Sequence, residues 1–140
     1  MNSVNPYNLE IIETHKVHTD SEVQGILDLA QSTFLTFRKS TFDYRKERLL
    51  AAADILKAKA DEYANMMSLE MGKPIKESRA EITKCAWVCE YYAGNAEGFL
   101  KPEVIQTDAS QSFVTYEPLG VILAIMPWNF PFWQVFRFIA

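Results

Sequence analysis

The residue best placed for chemistry is Asn129, which lies between two prolines. Pro127 cannot donate to a β-ladder, and Pro131 has its φ angle preset for a first helical turn. The chain is therefore predicted to bend rigidly here, between a strand and a helix. In open α/β sheets, ligands bind outside the carboxyl ends of the strands, and the next helix offers N–H groups to anions. Asn129 therefore lies where chemistry is usually done, although an asparagine here could equally cap the helix.

Two cysteines are the other candidates for chemistry. Cys85 and Cys89 are four residues apart in a helical pattern, so they lie on one face of the helix. They could ligate a metal or form a redox pair, but small apolar side chains on a buried helix face are the more common case. We interpret both as core thiols and predict no metal site.

The elements on either side of the bend follow from their residue patterns. A turn at Pro118 to Gly120 precedes the apolar run Val121 to Met126, which predicts a strand buried on both faces of a parallel sheet. If the next helix begins at Pro131, helical spacing puts four side chains on one face beside Asn129. They are Phe130, Trp133, Gln134 and Arg137. A guanidinium in an aromatic pocket suits a carboxylate partner, unless Arg137 points to solvent or to another subunit.

Three helices are predicted before the bend. The first runs from the capping box of Thr19 and Glu22 to about residue 40. The second, residues 43–72, ends where a glycine and then a proline stop it, and the third starts at about residue 75. The third also has a charge run, interpreted as a solvated face: Glu77, Arg79, Glu81 and Lys84.

Strand signals flank these helices. Residues 9–17 predict one strand, and residues 103–107 with 112–116 predict a hairpin, because the period changes to two after Pro102. An isolated hairpin is marginal in water. This one should therefore pair with another part of the chain or with another subunit.

The composition excludes several classes of protein. With 140 residues and 49% hydrophobic content, the chain is at most one ordinary domain and not mainly disordered. The net charge is −4, and no Lys/Arg run resembles a phosphate-backbone footprint, so nucleic acid is not an expected partner. No apolar window has the length of a membrane span, and the N-terminus lacks the regions of a signal peptide. A cytoplasmic protein is the default expectation.

Several motifs together resemble the N-terminal part of the NAD(P)-dependent aldehyde dehydrogenases. They are Pro118-Leu119-Gly120-Val121, Glu70-Met71-Gly72-Lys73-Pro74 and, most specific, Pro127-Trp128-Asn129-Phe130-Pro131. The resemblance implies the α/β class. Residues 1–102 would be the N-terminal helical part of the cofactor-binding domain, and residues 103–117 a protruding hairpin that joins subunits into a homo-oligomer. Residues 118–140 would be the truncated start of a Rossmann-like cofactor-binding core.

The resemblance also implies roles for the bend. The cofactor, NAD or NADP, would be lined by Ile125, Met126, Pro127, Trp128 and Asn129. In this family a cysteine thiolate attacks the aldehyde, hydride leaves to the nicotinamide, and a water activated by a glutamate hydrolyses the thioester. The side chain of Asn129 would donate to the oxyanion.

The substrate follows from a closer resemblance. The bend, together with Trp133-Gln134-Val135, looks like the bacterial succinate-semialdehyde dehydrogenases, which have an arginine at the place of Arg137. This implies an ω-carboxylated semialdehyde as the substrate. Its binding residues would be Phe130, Trp133, Gln134 and Arg137.

The family's nucleophile and general base have no candidate in the sequence, because Cys85 and Cys89 match no such motif. A single apolar strand without neighbours would also expose a contiguous patch. We therefore expect these residues to belong to a longer protein and to be inactive alone. Two other function classes stay open: an assembly module that pairs with a complete subunit, and a structural helical domain in which residues 127–131 are only a turn.

Overall fold

The computed structural model describes residues 1–140 as a mainly helical chain arranged around one long helix, α4. The elements in order are β1 (Asn2–Val4), β2 (Ile11–Thr14), α1 (Asp20–Phe37), α2 (Phe42–Ala58), α3 (Ala60–Met71), α4 (Ile75–Phe99), β3 (Glu103–Val104), β4 (Phe113–Val114) and α5 (Pro131–Ile139). The four strands form two separate antiparallel pairs, β1 with β2 and β3 with β4. None of the helices combines the length and the apolar character that crossing a bilayer requires.

The start of α1 confirms the predicted capping box. The Thr19 Oγ1 accepts from the Glu22 N–H at 3.3 Å, and the Glu22 Oε2 accepts from the Thr19 N–H at 2.8 Å. The helix ends at Phe37, slightly before the predicted end near residue 40. The next helix, α2, has Thr41 as its cap, and the Thr41 Oγ1 accepts from the Tyr44 N–H at 3.2 Å.

The prediction of one helix over residues 43–72 is wrong, because the structure divides this segment into α2 and α3. Lys59 separates them, with φ −107° and ψ 19°, outside helical geometry. The break contains neither proline nor glycine, so no helix-breaking residue marks it in the sequence. Both helices pack against α4. The break at Lys59 therefore lies between two segments that each pack against α4.

The core lies where α2, α3 and α5 meet α4. Its buried cluster is Ala53, Leu56, Met67, Ile82, Cys85, Ala86 and Cys89. The interpretation of Cys85 and Cys89 as core thiols is confirmed, since both are free and fully buried. Burial raises the pKa of the Cys85 thiol to about 12, and the nearby Glu81 carboxylate adds to the shift. At neutral pH this thiol is protonated, so it is a poor nucleophile.

The stop after α3 is made by Gly72, as predicted. This residue has φ +71°, in the left-handed region, and its N–H donates to the Ser68 carbonyl at 3.1 Å. A Cβ atom added at Gly72 would lie 3.3 Å from the Pro6 Cγ atom. The glycine is therefore required by the backbone and also by close contact with the N-terminal segment.

Substituting Gly72→Ala is expected to lower the free energy of unfolding by about 1 kcal/mol or more, because alanine at positive φ is strained. Gly94→Ala is the matched control, since Gly94 lies inside α4 with open space around the added methyl group. It should stabilise the helix by up to about 1 kcal/mol. Urea unfolding followed by circular dichroism measures both changes. Shifts in the same direction would contradict this account of Gly72.

The predicted N-terminal strand and hairpin are present in shorter form. Residues 9–17 contain β2, which is four residues long and pairs with β1 through an irregularity at Ser3 and Val4. In the hairpin, β3 and β4 have two residues each, and the Ile105 N–H adds a bond to the Ser112 carbonyl at 2.9 Å.

The prediction of a buried strand at residues 121–126 is wrong for this structure. The segment joins neither pair of strands, and its side chains are largely exposed. A strand is held by hydrogen bonds to a neighbouring strand, and no strand of residues 1–140 lies beside this one. Residues 1–140 therefore form a helical group with two small antiparallel pairs of strands, and the Rossmann-like sheet of the α/β prediction stays a prediction.

Candidate active site

The bend is attached to the core through Glu81, a residue of α4. Helix α5 has Phe130 at its cap position, without a side-chain cap hydrogen bond, and Pro131 as its first residue. The alternative role of Asn129 as the cap of α5 is therefore wrong. The Glu81 Oε1 instead accepts from the Trp133 N–H at 2.9 Å, which satisfies one of the free donors at the start of α5.

Lys73 completes this attachment. Its ammonium group forms an ion pair with the Glu81 Oε2, and the two side chains are only 9% and 2% exposed. The same ammonium lies 3.9 Å from the centroid of the Phe130 ring. Lys73 comes directly after the Gly72 stop, so the end of α3 places its side chain beside the bend.

The prediction that Glu81 belongs to a solvated face is wrong, since the residue is 4% exposed. Sequence reasoning missed both Glu81 and Lys73 as parts of the site. A signal was present for Glu81, because it lies four residues before Cys85 and eight before Cys89, on the buried stripe of α4. A carboxylate on such a stripe needs a partner, and the chain supplies Lys73.

A cavity of about 450 Å³ lies between α4 and the bend. From the bend and α5 it is lined by Asn129, Phe130, Trp133 and Gln134, and from α4 by Glu77, Ala80, Glu81 and Lys84. Three of the four predicted substrate-binding residues therefore lie beside Asn129, as helical spacing required. The Lys84 ammonium lies 3.9 Å from the centroid of the Trp133 ring, so a cation is held against this aromatic wall, and Glu77 is an acidic residue of the same lining.

The side chain of Gln134 has one unpaired acceptor atom. Its Oε1 atom is buried and has no hydrogen-bond partner. Leaving such an atom unsatisfied typically costs about 1 to 3 kcal/mol. Gln134 therefore lines the cavity, while its unpaired acceptor atom is shielded from solvent.

Arg137 lies in the neighbouring cavity and not in the one that contains Asn129. This second cavity, of about 490 Å³, is lined by Trp87, Val88, Tyr91, Tyr92, Met126, Trp133, Arg137 and Phe138. Arg137 is exposed and takes part in none of the ion pairs of the chain. The ring of Trp133 borders both cavities. The aromatic surroundings of Arg137 agree with the prediction, but Arg137 and Asn129 line different cavities, which share only Trp133.

The predicted cofactor-lining residues form an exposed surface. Ile125 is 86% and Trp128 is 75% exposed, whereas Met126 is half-buried. Trp128 also borders a cavity of about 220 Å³ against α3. The expected anion site at the start of α5 is wrong, because the Glu81 carboxylate already lies there. The bend therefore presents an apolar surface to solvent, with no free helix N-terminus for an anion beside it.

The whole chain matches one protein family. Residues 1–140 match the model of the aldehyde dehydrogenase family. A probable NADP(+) succinate-semialdehyde dehydrogenase of Synechocystis is 55% identical over 138 residues, which cover 99% of this chain and 30% of that protein. The NADP(+) succinate-semialdehyde dehydrogenase of Mycobacterium avium is 45% identical over 142 residues, again with 30% of its length covered. The chain thus spans about 30% of the relatives that it matches.

Solved structures show the same arrangement of elements. Succinic semialdehyde dehydrogenase from Streptococcus pyogenes, in complex with NADP+, superposes with a TM-score of 0.92 at 35% identity. The match covers 97% of this chain and 30% of that one. Betaine aldehyde dehydrogenase from Staphylococcus aureus, with NAD+, superposes with a TM-score of 0.91 at 29% identity, over 99% of this chain and 29% of that one. By sequence over its whole length and by fold, the chain belongs to the aldehyde dehydrogenase family.

Proposed function

We propose that residues 1–140 form one side of the active site of an aldehyde dehydrogenase that oxidises an ω-carboxylated semialdehyde, succinate semialdehyde, with NADP+ or NAD+. The observation that carries the proposal is the position of Asn129. Its side chain borders a cavity lined by aromatic rings and by charged side chains of both signs, and it does not cap α5. The names of the relatives from Synechocystis and Mycobacterium avium support this substrate and NADP+.

Asn129 acts as a hydrogen-bond donor to the reacting oxygen. An amide held at the edge of a cavity can stabilise the negative charge that develops on the aldehyde oxygen when a nucleophile adds. The nucleophilic cysteine and the catalytic glutamate come from the other part of such an enzyme. The two cysteines of this chain are buried in the core, with raised thiol pKa values.

The exposed bend faces the cofactor. The apolar side chains of Ile125 and Trp128 would pack on the flat rings of the dinucleotide, with Met126, Pro127 and Asn129 beside them. When bound, the cofactor accepts the hydride from the aldehyde carbon. The chain itself supplies the wall that orients the nicotinamide and excludes water from that side.

Arg137 binds the distal carboxylate of the substrate. A guanidinium can hold a carboxylate by two parallel hydrogen bonds, and Arg137 lacks an acidic partner in the chain. Because Arg137 and Asn129 line two cavities that share only Trp133, the substrate would extend past that residue, with its aldehyde at Asn129. Phe130, Trp133 and Gln134 line the path between the two ends.

The proposal also assigns regions of the complete enzyme. Residues 1–102 would form the helical part of the cofactor-binding domain, and residues 118–140 the start of its Rossmann-like core. Residues 103–117 would join subunits into a homo-oligomer. The exposed apolar side chains of the hairpin support such a contact, among them Val104, Phe113 and Tyr116.

The test compares this 140-residue chain with an enzyme of the relatives' length that carries it. We expect the long enzyme to reduce NADP+ in the presence of succinic semialdehyde, and the 140-residue chain to show no turnover, because it lacks the nucleophile. Absorbance of the reduced cofactor measures both. Turnover by the 140-residue chain would contradict the proposal that the nucleophile lies outside these residues. Co-sedimentation of the short chain with a complete subunit, without turnover by either, would favour the assembly module instead.

A further inference from the structure

We propose that Glu81 is a positioning residue: its buried carboxylate, held by Lys73, fixes the start of α5 and thereby the place of the Asn129 amide. The inference deepens the proposed function and rests on it. Glu81 joins two elements that are far apart in sequence, since its partner Trp133 lies 52 residues away. The contact ties the bend to the central helix at the point where the cavity forms.

Helix α5 cannot satisfy its own first turn. Pro131 has no N–H group, and the side chain of Phe130 has no acceptor for the N–H groups that follow. A Ser, Thr, Asp or Asn at the cap position would stabilise the start of the helix locally, but it would not fix the helix relative to the core. A cap supplied by α4 holds it in one position relative to the core. The geometry of the bend therefore depends on Glu81.

Lys73 makes a second contact that fixes the same bend. Its ammonium pairs with the Glu81 Oε2 and lies over the ring of Phe130, the residue that directly follows Asn129. The bend is thus held at the Trp133 N–H by an acceptor and at the Phe130 ring by a cation. Asn129 is adjacent to the second of these two points.

The burial of this ion pair favours a role in geometry over one in stability. Taking two charges out of water is costly, and apolar residues of similar volume are often as stable. The chain also contains an exposed pair whose carboxylate lies on α4, Glu90 with Lys57 of α2. That pair contacts neither the bend nor the cavity, so it is a matched control for the loss of a carboxylate from α4.

The first experiment measures turnover in the long enzyme. Glu81→Gln keeps an oxygen for the Trp133 N–H but leaves Lys73 without a counter-charge. We expect kcat to fall about tenfold with little change in KM, less than the roughly hundredfold that a 1 Å misplacement can cause. Glu90→Gln should leave both constants unchanged. An unchanged kcat in folded Glu81→Gln would overturn the proposal.

A double substitution tests whether Glu81 acts through Asn129. In the Asn129→Ala background, Glu81→Gln should cause no further loss of kcat, because the group that it positions is absent. Independent losses that multiply would overturn the proposal and make Glu81 merely structural. If Glu81→Gln does not fold, Glu81→Gln/Lys73→Met removes the unpaired cation as well, and the same comparison applies to it.

A spectroscopic experiment on the 140-residue chain separates this inference from the proposed function. Glu81→Gln should speed hydrogen exchange of the Trp133 amide, because a neutral amide oxygen accepts more weakly than a carboxylate, and should shift the NMR signals of the Asn129 side-chain amide. Glu90→Gln should change neither. Unchanged Asn129 signals would overturn the positioning role, whatever the activity. Shifted signals together with full activity of Asn129→Ala would support the positioning role and reject the proposed role of Asn129 in catalysis.

Discussion

Replacing Asn129 by alanine in the long enzyme is expected to lower kcat by about 100- to 1000-fold, as the loss of a single oxyanion donor does. This effect is expected because the amide would donate to a charge that exists in the transition state and not in the bound aldehyde. Binding of the ground state should therefore change little, and KM should stay within a few-fold. The side chain borders the cavity and caps no helix, so its removal should leave the fold intact.

Steady-state rates with succinic semialdehyde and NADP+ measure the effect of Asn129→Ala. Asn95→Ala is the matched control, because Asn95 lies on α4 and donates only to the carbonyl of Tyr91, one turn away. It should leave both kinetic constants unchanged. A rise in KM at constant kcat would assign Asn129 to ground-state binding. Equal losses in both variants would remove the catalytic role.

Replacing Arg137 by leucine is expected to lower kcat/KM for succinic semialdehyde by about 10- to 100-fold, the usual effect of losing a hydrogen bond to a charged group. Butanal has no carboxylate, so its kcat/KM should change little or rise slightly. The ratio of the two values is the quantity to measure, because a general loss of folded enzyme cancels in it. Equal losses of kcat/KM with both aldehydes would reject the proposal that Arg137 binds the carboxylate.

Two companion variants sharpen the test of Arg137. Arg137→Lys keeps the charge but cannot form two parallel hydrogen bonds to a carboxylate. Its ratio of kcat/KM for succinic semialdehyde to kcat/KM for butanal should therefore lie between the ratios of the parent and of the leucine variant. Arg79→Leu is the control, since Arg79 lies on α4 and pairs with Asp61 at an exposed site. It should leave the ratio unchanged. A selective effect of Arg137 would also mean that the substrate extends past the ring of Trp133.

Patterns that act over a few residues were predicted correctly from the sequence. The capping box at Thr19 and the glycine stop at Gly72 depend on local backbone groups, and both are present. The spacing of Phe130, Trp133 and Gln134 places these side chains together at one cavity with Asn129. The burial of Cys85 and Cys89 followed from the same helical period. In each case the determining interactions lie within one or two turns of chain.

Features that depend on distant partners were not predictable in this way. The strand expected at residues 121–126 has no neighbouring strand within residues 1–140, and a pattern of apolar residues cannot supply one. The break at Lys59 contains no helix-breaking residue and is set by packing on α4. Arg137 shares a helix face with Trp133, yet it lines the second cavity and not the one that Asn129 lines.

The sequence by itself determined the family, the helices of residues 20–99 apart from that break, and the grouping of residues around Asn129. Only the tertiary structure decided that Glu81 is buried, that Lys73 neutralises it, and that the pair holds the start of α5. The physical reason is the range of the interactions. Caps and helix faces are set by neighbours along the chain, whereas the environment of a charge depends on groups that folding brings from 8 and 52 residues away.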